Sequence, residues 1–442
     1  MNNISIFGTS SDAGKSTITF VIAKILQDLG YSVAPFKAQN VSNNAQVASD
    51  NAEIAVAQHF QASVLKVETS WHNNPVLLKS GRGNTASLIV GGRVVEEKDV
   101  RAYYRDLDTL KPTVYEAFSY LDARYDCVIA EGAGSPVELN LMDKDLSNIY
   151  IATAFNTKII LVADIEKGGV FASIWGVYNL LPKALKQNVI GVIVNKFRGD
   201  LSLFDEGIRI IEEEFGIPLL GVLPHLAFNL GFEDSESLKN LSQDCSKSTR
   251  TVGVIAYPTM SNYNDFEPLI ADPNTCVEFV SSNVRLKHFD CVILPGSKLV
   301  MEDLKWLKKT GIFDTLKALH REGKVHIIGI CGGYEMMFAS IVDEALVECS
   351  EPTTMEALGF IDDEIVFQKE KTVKRDGAKF EIHHGTSKKY PLEYKSQKVY
   401  GTFSHGLFSD EWFEKYTEET IEAFVSTMRE KLDVQRLVNS VL

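Results

Sequence analysis

The sequence predicts an α/β protein built from two parallel-sheet domains. Its 442 residues are 45% hydrophobic, which is enough chain for about two to four domains with sizeable cores. Short β-branched apolar runs recur between longer amphipathic stretches, and such runs are typical of strands that helices cover on both faces. The same pattern restarts after a polar stretch at residues 233–250, which predicts a boundary between two domains.

Five apolar runs predict the strands of the first domain, and three predict strands of the second. They are Ile4–Phe7, Cys127–Ala130, Ile159–Ala163, Val189–Val194 and Leu219–Leu223, then Val252–Tyr257, Cys291–Leu294 and His326–Ile330. We therefore expect one α/β domain over residues 1–235 and a second over residues 251–412. Apolar residues at helical spacing predict a helical tail over residues 413–442 that packs on one of the domains.

Charge and composition restrict the partners. With 45 basic and 59 acidic side chains, the formal net charge is −14, the wrong sign for broad contact with nucleic acid or an anionic membrane. No run approaches the ~18 apolar residues of a membrane span, and the start lacks the basic segment of a signal peptide. The six cysteines form no C-x-x-C pair. We therefore expect a cytoplasmic protein with reduced thiols that acts on small molecules.

A glycine-rich loop follows the first predicted strand and leads into an amphipathic segment that predicts a helix. In this context the loop amides and the helix N-terminus bind an anion, Lys15 contacts the terminal phosphates, and the Ser16 hydroxyl can ligate Mg²⁺. The ATP-binding candidates are Gly8, Thr9, Gly14, Lys15, Ser16 and Thr17. The spacing is one residue longer than in the common P-loop and resembles dethiobiotin synthetases and partition ATPases. That resemblance implies adenine contacts at Asn195 and Pro224, near the ends of predicted strands.

A magnesium–ATP site also needs carboxylates. Glu131 directly follows a predicted strand, and the carboxyl ends of parallel strands share one edge of a sheet, so it is the first candidate ligand. Glu53 is the second, because its spacing to Gln58 resembles that in dethiobiotin synthetases. Asp50 and Asp164 stay open as further candidates. Mg²⁺ is therefore the expected cofactor, with ATP as cosubstrate.

A second site is predicted at the end of the eighth apolar run. Cys331 stands between a strand and the pair Gly332-Gly333, where glycines permit a sharp turn and the next helix lowers the thiol pKa. Gly332 and Gly296 are the oxyanion candidates, and His405 is the candidate base. These are the parts of a class I glutamine amidotransferase. The usual orienting glutamate is Leu407 here, so the minimum prediction is a Cys331–His405 dyad whose carboxylate is absent or comes from elsewhere.

Together the two sites predict amide synthesis. A thiolate releases ammonia from glutamine through a thioester, while ATP converts a carboxylate into an acyl phosphate that ammonia can attack. Because most free ammonia is protonated at neutral pH, delivery between two sites on one chain favours the reaction.

Several contiguous blocks stand out between residue 4 and about residue 408, namely residues 36–44, 74–79, 131–136, 168–173, 195–200, 329–333 and 381–385. They resemble the cobyric acid synthase family of cobalamin biosynthesis. The resemblance implies ATP-dependent amidation of the b, d, e and g carboxylates of adenosylcobyrinic acid a,c-diamide, and a Cys–His pair without the usual glutamate. Substrate-facing candidates are Lys37, Gln39, Asn40 and Asn44. Lys167 stands where the family leads us to expect arginine.

Other functions stay open at this point. One is a related glutamine-dependent ligase, either the a,c-diamide-forming enzyme or a peptidoglycan-amidating system; the former lacks the Lys37-Ala38-Gln39-Asn40 block, which disfavours it. Another is a nucleotide switch of the partition-ATPase type, which would need neither Cys331 nor His405. The expected partners are glutamine, ATP and the corrinoid, and the sequence predicts no oligomeric state.

Overall fold

The computed structural model describes residues 1–80, 85–226, 245–283, 286–377, 379–408 and 418–442. Two largely parallel sheets dominate it, one in each half of the chain. The predicted α/β class with two parallel-sheet domains is therefore confirmed. The predicted domain limits at residues 235 and 412, and the polar stretch at residues 233–244, lie outside the described residues.

The strands and helices alternate in the first half. The strands are β1 (Ile4–Gly8), β2 (Val33–Phe36), β3 (Gln39–Val41), β4 (Ala45–Val47), β5 (Glu53–Ala55), β6 (Val76–Ser80), β7 (Thr85–Val90), β8 (Arg93–Asp99), β9 (Cys127–Glu131), β10 (Lys158–Asp164), β11 (Val189–Phe197) and β12 (Leu219–Pro224). The α-helices are Lys15–Asp28, Val56–Val64, Val100–Arg105, Lys111–Asp122, Ile151–Ala154, Val170–Leu180, Lys183–Lys186 and Asp205–Arg209.

The second half repeats this alternation and then adds two tail helices. Its strands are β13 (Arg250–Ile255), β14 (Met260–Ser261), β15 (Thr275–Val280), β16 (Cys291–Leu294), β17 (Gly296–Ser297), β18 (His326–Ile330), β19 (Phe338–Asp343), β20 (Thr353–Glu356), β21 (Ile361–Asp376), β22 (Lys379–Thr386), β23 (Glu393–Lys395) and β24 (Val399–Thr402). The α-helices are Glu267–Ala271, Val300–Thr310, Ile312–Glu322, Gly332–Glu335, Glu418–Arg429 and Val434–Val441.

The first large sheet has the order β12-β11-β10-β1-β9-β2, and its pairings are parallel. β1 lies in the middle and pairs with both β9 and β10, so the carboxyl ends of these three strands meet at the point where the strand order reverses. Open α/β sheets bind their ligands at such a point. The apolar side of helix Lys15–Asp28 is buried in the core of this domain.

Strands within residues 39–80 and 85–99 form two smaller sheets, β3-β6-β7-β8 and the hairpin β4-β5. The sequence patterns did not predict these strands, because several are only three residues long and lack a continuous apolar run. This insertion projects towards the second domain.

The second large sheet has the order β15-β13-β16-β18-β24-β23 and is parallel except for β23. A four-stranded sheet, β20-β19-β21-β22, lies beside it. Phe380 and Ile382 of β22 share a buried apolar cluster with side chains of the first half, namely Ala45, Val47, Ala55, Leu77 and Ile89. The two domains therefore meet across a small core of their own.

The tail helices return to the first domain. Ile421, Phe424 and Met428 join the core that helix Lys15–Asp28 covers. The Asn2 amide also donates to the Val441 carbonyl oxygen at 2.7 Å. The sequence predicted the helices but left open which domain they would cover. Among the described residues, no helix has the length and apolarity to cross a membrane.

One expectation about the cysteines is wrong. Cys245 and Cys276 form a disulfide, whereas all six cysteines were expected to be reduced. The two are 31 residues apart in sequence. The parallel pairing of β13 with β15 places Cys276 opposite Thr251, and Cys245 lies in the short turn that precedes β13. Cys127, Cys291, Cys331 and Cys349 are free thiols.

Candidate active site

The glycine-rich loop lies at the carboxyl end of β1. Gly8 ends the strand, Gly14 has a φ of 93°, and the helix begins at Lys15. Glycine adopts the left-handed conformation of Gly14 without the strain that a side chain would bring. Lys15 is buried, and its Nζ lies 3.4 Å from the Ser10 carbonyl oxygen, folded back over the loop. The remaining predicted loop residues lie beside them: Thr9, Ser16 and Thr17.

Asn195 and Pro224 lie at the same edge of the sheet, towards the ends of β11 and β12. Asn195 Nδ2 donates to the Ala13 carbonyl oxygen at 3.0 Å, and a Cβ atom on Gly14 would approach Nδ2 to 2.2 Å. The side chain of Asn195 is thus packed against the loop and holds its shape. An adenine contact at either residue stays a prediction.

Glu131 lies at the centre of a polar cluster beside the loop. It ends β9, is buried, and its Oε1 accepts hydrogen bonds from Ser16 Oγ and Lys37 Nζ, each at 2.7 Å. Gln58 and Gln61 donate more weakly to Oε2, at 3.4 and 3.3 Å. Burial raises the pKa of Glu131, but Lys37 and the hydrogen bonds outweigh it and hold the pKa below its usual value. An ionised carboxylate therefore adjoins the Ser16 hydroxyl.

This pair of oxygen donors fits Mg²⁺, which prefers oxygen ligands and takes few from the protein when a nucleotide supplies the rest. Glu53 does not fit. Its carboxylate is buried and paired with Lys79 of the first domain and, at 2.8 Å, with Lys371 of the second. Burial opposes ionisation, yet the two lysines lower the pKa of Glu53 far below its usual value. Glu53 is a charge partner at the domain interface in this structure, and its role as a magnesium ligand stays a prediction that this geometry does not favour.

The other two acidic candidates also have partners in the protein. Asp50 accepts from the amides of Ala52 and Trp71, at 3.0 and 3.1 Å. Asp164 ends β10 at the ligand edge of the sheet, and its Oδ2 pairs with Lys196 Nζ at 3.0 Å. Asp164 thus lies near the loop, whereas Asp50 stabilises a turn.

The four predicted substrate-facing residues separate into two groups. Gln39 and Asn40 are half-buried, and Gln39 lines a surface cavity together with Ser135 and Lys144. Lys37 is buried against Glu131, and Asn44 is fully buried. Only the first pair is therefore accessible to a large substrate in this conformation.

Lys167 is exposed and lies next to the phosphate loop. Its Nζ is 3.5 Å from the Ser11 carbonyl oxygen and 3.6 Å from Asp12 Oδ2. A lysine here supplies the positive charge expected at this position, without the two-point contact that an arginine can make to an anion.

Cys331 occupies a strained turn between β18 and the helix Gly332–Glu335. Its φ is 52° and its ψ is −113°, a conformation that side chains rarely adopt. A Cβ atom on Gly332 would lie 2.8 Å from the Ser297 amide nitrogen, and a Cβ atom on Gly333 would lie 2.0 Å from the Leu294 carbonyl oxygen. Gly332 thus allows β17, and Gly333 the end of β16, to pack against the turn that carries Cys331, which is the arrangement that an oxyanion site needs.

His405 lies beside this turn, fully buried. Its Nδ1 donates to Asp265 Oδ2 at 2.7 Å, and the Gly406 amide donates to Asp265 Oδ1 at 2.9 Å. A Cβ atom on Gly296 would lie 3.0 Å from the His405 ring, so the predicted oxyanion residue adjoins the base. Burial lowers the pKa of His405, but Asp265 and Cys331 outweigh it and raise the pKa to about 10. Asp265 and Cys331 therefore favour the protonated form of the ring.

Asp265 is the carboxylate that the sequence left unassigned. It lies in a short helical turn, Tyr263–Phe266, that precedes helix Glu267–Ala271, and it is 140 residues from His405 in sequence. An acidic residue in the apolar setting of Tyr263 and Phe266 is the signal that could have identified it. No spacing rule connects it to His405, because only the fold brings the two together.

The pocket at Cys331 and His405 is lined by both domains. Asn43 and Lys79 come from the first domain, whereas Asn262, Lys298 and Lys371 come from the second. Burial lowers the pKa of Lys79 to about 8, although Glu53 partly offsets this effect. The thiol site therefore lies at the domain interface and faces the insertion that carries β3 to β8.

Two family models match the chain. A CobQ/CobB/MinD/ParA nucleotide binding domain matches residues 4–228, and a CobB/CobQ-like glutamine amidotransferase domain matches residues 251–413. A cobyric acid synthase from Acinetobacter baylyi is 57% identical, with 100% of this chain and 99% of that protein covered. The chain belongs to the cobyric acid synthase family. A probable cobyric acid synthase from Picrophilus torridus is 37% identical over 98% of both chains.

Family membership confirms the predicted resemblance. The chain is a glutamine-dependent, ATP-using amide ligase of cobalamin biosynthesis, with a nucleotide-binding domain and a glutamine amidotransferase domain. A cobyric acid synthase from Anoxybacillus flavithermus is 37% identical over 92% of this chain and 86% of that protein. The partition-ATPase switch is set aside, since this chain matches both domain models and belongs to the cobyric acid synthase family.

Proposed function

We propose that this chain amidates the b, d, e and g carboxylates of adenosylcobyrinic acid a,c-diamide to give adenosylcobyric acid. The observation that carries the proposal is the presence, on one chain, of an ATP-type loop beside Glu131 and of a thiol site built from Cys331, His405 and Asp265. The first site activates a carboxylate and the second releases ammonia from glutamine. Both products are needed to make an amide.

In the glutaminase half, His405 takes the proton of Cys331 and the thiolate Sγ attacks the side-chain amide carbon of glutamine. Asp265 keeps the Nδ1 proton in place, so Nε2 is the nitrogen that accepts. Backbone amides at Gly296 and Gly332 stabilise the oxyanion of the tetrahedral intermediate. His405 returns the proton to the leaving nitrogen, ammonia departs, and water hydrolyses the thioester to glutamate.

In the synthetase half, the loop amides and Lys15 bind the phosphates of ATP. A carboxylate oxygen of the corrinoid attacks the γ-phosphorus, ADP leaves, and an acyl phosphate forms. Ammonia then attacks the acyl carbon, and phosphate leaves with the carboxylate oxygen. Mg²⁺, which Ser16 and Glu131 would hold, supplies neutralisation of the phosphate charge.

Binding depends on local positive charge, because the protein carries a net charge of −14 and both ATP and the corrinoid acid are anions. Lys144 and Gln39, which line the cavity near the end of β9, are our candidates for contact with the corrinoid side chains. Lys37 and Asn44 are buried, so they affect corrinoid binding only through other residues. We also propose that the protein works in the cytoplasm, where glutamine and ATP are available.

The decisive experiment supplies purified protein with glutamine, Mg-ATP and adenosylcobyrinic a,c-diamide and follows the corrinoid by mass spectrometry. We expect four carboxylates to be replaced by four amides, with glutamate and ADP formed. The proposal is wrong if folded protein that hydrolyses glutamine and binds ATP leaves the corrinoid unchanged. Amidation confined to the a and c positions of unamidated cobyrinic acid would instead favour the a,c-diamide-forming activity.

A further inference from the structure

Asn262 connects the catalytic histidine to the ATP-binding domain. Its Nδ2 donates to His405 Nε2 at 2.9 Å, and its Oδ1 accepts from the Ala45 amide in β4 at 3.2 Å. Asn262 follows β14 in the left-handed conformation, with a φ of 55° and a ψ of 52°. One buried amide therefore bridges the base of the glutaminase site and the backbone of the other domain.

The bridge opposes the step that His405 must perform. Nε2 accepts the Asn262 N–H only while it carries no proton, because a protonated Nε2 would set two donors face to face. The Asn262 contact therefore stabilises the neutral imidazole and competes with the transfer of the Cys331 proton. The amide cannot simply turn over, since its NH₂ group would then face the Ala45 N–H.

Neighbouring residues tie the same turn to the ATP site. Asn44 Oδ1 accepts from the Tyr263 amide at 3.3 Å, next to the Asn262 bridge. Upstream in the same segment, Asn40 Nδ2 donates to Gln58 Oε1 at 3.3 Å. Gln58 in turn donates to Glu131, the carboxylate beside the phosphate loop. A shift of residues 40–45 on nucleotide binding would therefore change the hydrogen bond between Ala45 and Asn262.

We propose that Asn262 is a positioning residue through which the ATP-binding domain restrains the general base His405. The inference rests on the proposed role of Cys331 and His405 as the glutaminase pair. Release of the Ala45 contact frees the Asn262 amide to withdraw, Nε2 then accepts the thiol proton, and the glutaminase becomes active when the synthetase site is engaged.

The test uses Asn262→Gly, because glycine tolerates the left-handed backbone while it removes both side-chain hydrogen bonds. Asn262→Ser, whose side chain is too short to reach both partners, is a second variant expected to behave in the same way. The matched control is Asn264→Ala. Asn264 lies in the same turn, and its buried side-chain amide donates to Glu267 and not to His405.

The first measurement is the rate of Cys331 alkylation by iodoacetamide against pH, followed by peptide mass spectrometry. Burial raises the pKa of Cys127 and Cys291 to about 12, so these thiols react slowly at neutral pH. One neutral hydrogen bond changes an equilibrium by about fivefold. We therefore expect Cys331 of Asn262→Gly to react about fivefold faster at pH 7, and Cys331 of Asn264→Ala to react at the wild-type rate. An unchanged or slower rate in both Asn262 variants overturns the proposal.

The same pocket contains other ionisable side chains, and the wild type and all the variants retain them. They are Lys79, Lys298, Glu335, Glu348, Lys371, His383 and His384. The difference between the pH profiles of Cys331 alkylation in the wild type and in Asn262→Gly therefore reports the Asn262 contact. The variant His405→Ala tests the role of His405 as the base separately from the role of Asn262. If it leaves Cys331 alkylation unchanged, the proposed base itself is wrong, whatever Asn262 does.

The second measurement is glutamine hydrolysis with and without Mg-ATP. The wild type should accelerate when Mg-ATP is present, whereas Asn262→Gly should already be fast and respond less. Equal responses in the two proteins, or no response in the wild type, would overturn the link between the domains.

Discussion

Replacing Asp265 with asparagine reverses the hydrogen-bond pattern of the catalytic histidine. Asp265 accepts from His405 Nδ1 with one oxygen and from the Gly406 amide with the other. An asparagine must keep its oxygen on the Gly406 N–H, since the opposite orientation would place two donors together. Its NH₂ group then faces Nδ1, which becomes an acceptor. His405 consequently carries its proton on Nε2 and cannot take one from Cys331.

The expected loss follows from this tautomer change. In the serine-protease triad the equivalent substitution lowers kcat about 10⁴-fold, and general-base catalysis alone contributes about 10²–10⁴-fold. We expect Asp265→Asn to lower glutamine-dependent synthesis by about 10²–10⁴-fold, since the substitution keeps the side chain's size. Ammonia-dependent synthesis should proceed at the wild-type rate, because the ATP site is separate. Glutamate formation and corrinoid amidation are measured on the same protein samples.

Asp272→Asn provides the matched control. Asp272 is a half-buried residue whose carboxylate accepts from Asn274 and Thr275 and does not touch His405. The reasoning is refuted if Asp265→Asn keeps glutamine-dependent synthesis within threefold of the wild type. It is equally refuted if the variant loses ammonia-dependent synthesis to the same extent while it remains folded.

Three further substitutions test the separate parts of the protein. Cys331→Ala should abolish glutamine-dependent synthesis and spare ammonia-dependent synthesis, because only the nucleophile is lost. Glu131→Gln should raise the Mg²⁺ concentration needed for half-maximal synthesis by about 10–100-fold, the size of effect typical of groups around a metal site. Glu53→Gln should lower the free energy of unfolding in urea by about 3–5 kcal/mol, because it leaves buried Lys79 and Lys371 without their carboxylate.

Each of these predictions has a contradicting outcome. Equal loss of glutamine-dependent and ammonia-dependent synthesis in Cys331→Ala would contradict the assignment of the two reactions to separate sites. An unchanged magnesium dependence in Glu131→Gln would move the metal site elsewhere, with Asp164 the next candidate. Weaker ATP binding in Glu53→Gln, without a change in stability, would restore Glu53 as a ligand of the nucleotide site.

The strands of the two large sheets were the most predictable part of the fold. Seven of the eight apolar runs lie within an observed strand and the eighth overlaps one, because a strand buried on both faces needs apolar side chains throughout. The run at Val252–Tyr257, for example, overlaps β13 over Val252–Ile255. The strands β3 to β8 were not predicted. Three of them, β3, β4 and β5, have only three residues each, and such short strands have too little pattern to distinguish them from loops.

The sequence by itself determined the local parts of both sites. A glycine-rich loop between a strand and a helix, and a cysteine among glycines after a strand, depend on neighbours in the chain. Their geometry at Gly14 and Cys331 is accordingly a left-handed or strained backbone, as such turns require. The family resemblance also came from contiguous blocks.

Only the tertiary structure decided which distant side chains meet. It brought Asp265 and Asn262 to His405 across more than a hundred residues, and it placed Glu53 between Lys79 and Lys371 instead of beside the phosphate loop. It also packed the tail helices on the first domain and joined Cys245 to Cys276. Contacts of this kind depend on sheet order and domain packing. Spacing along the chain therefore carries no information about them.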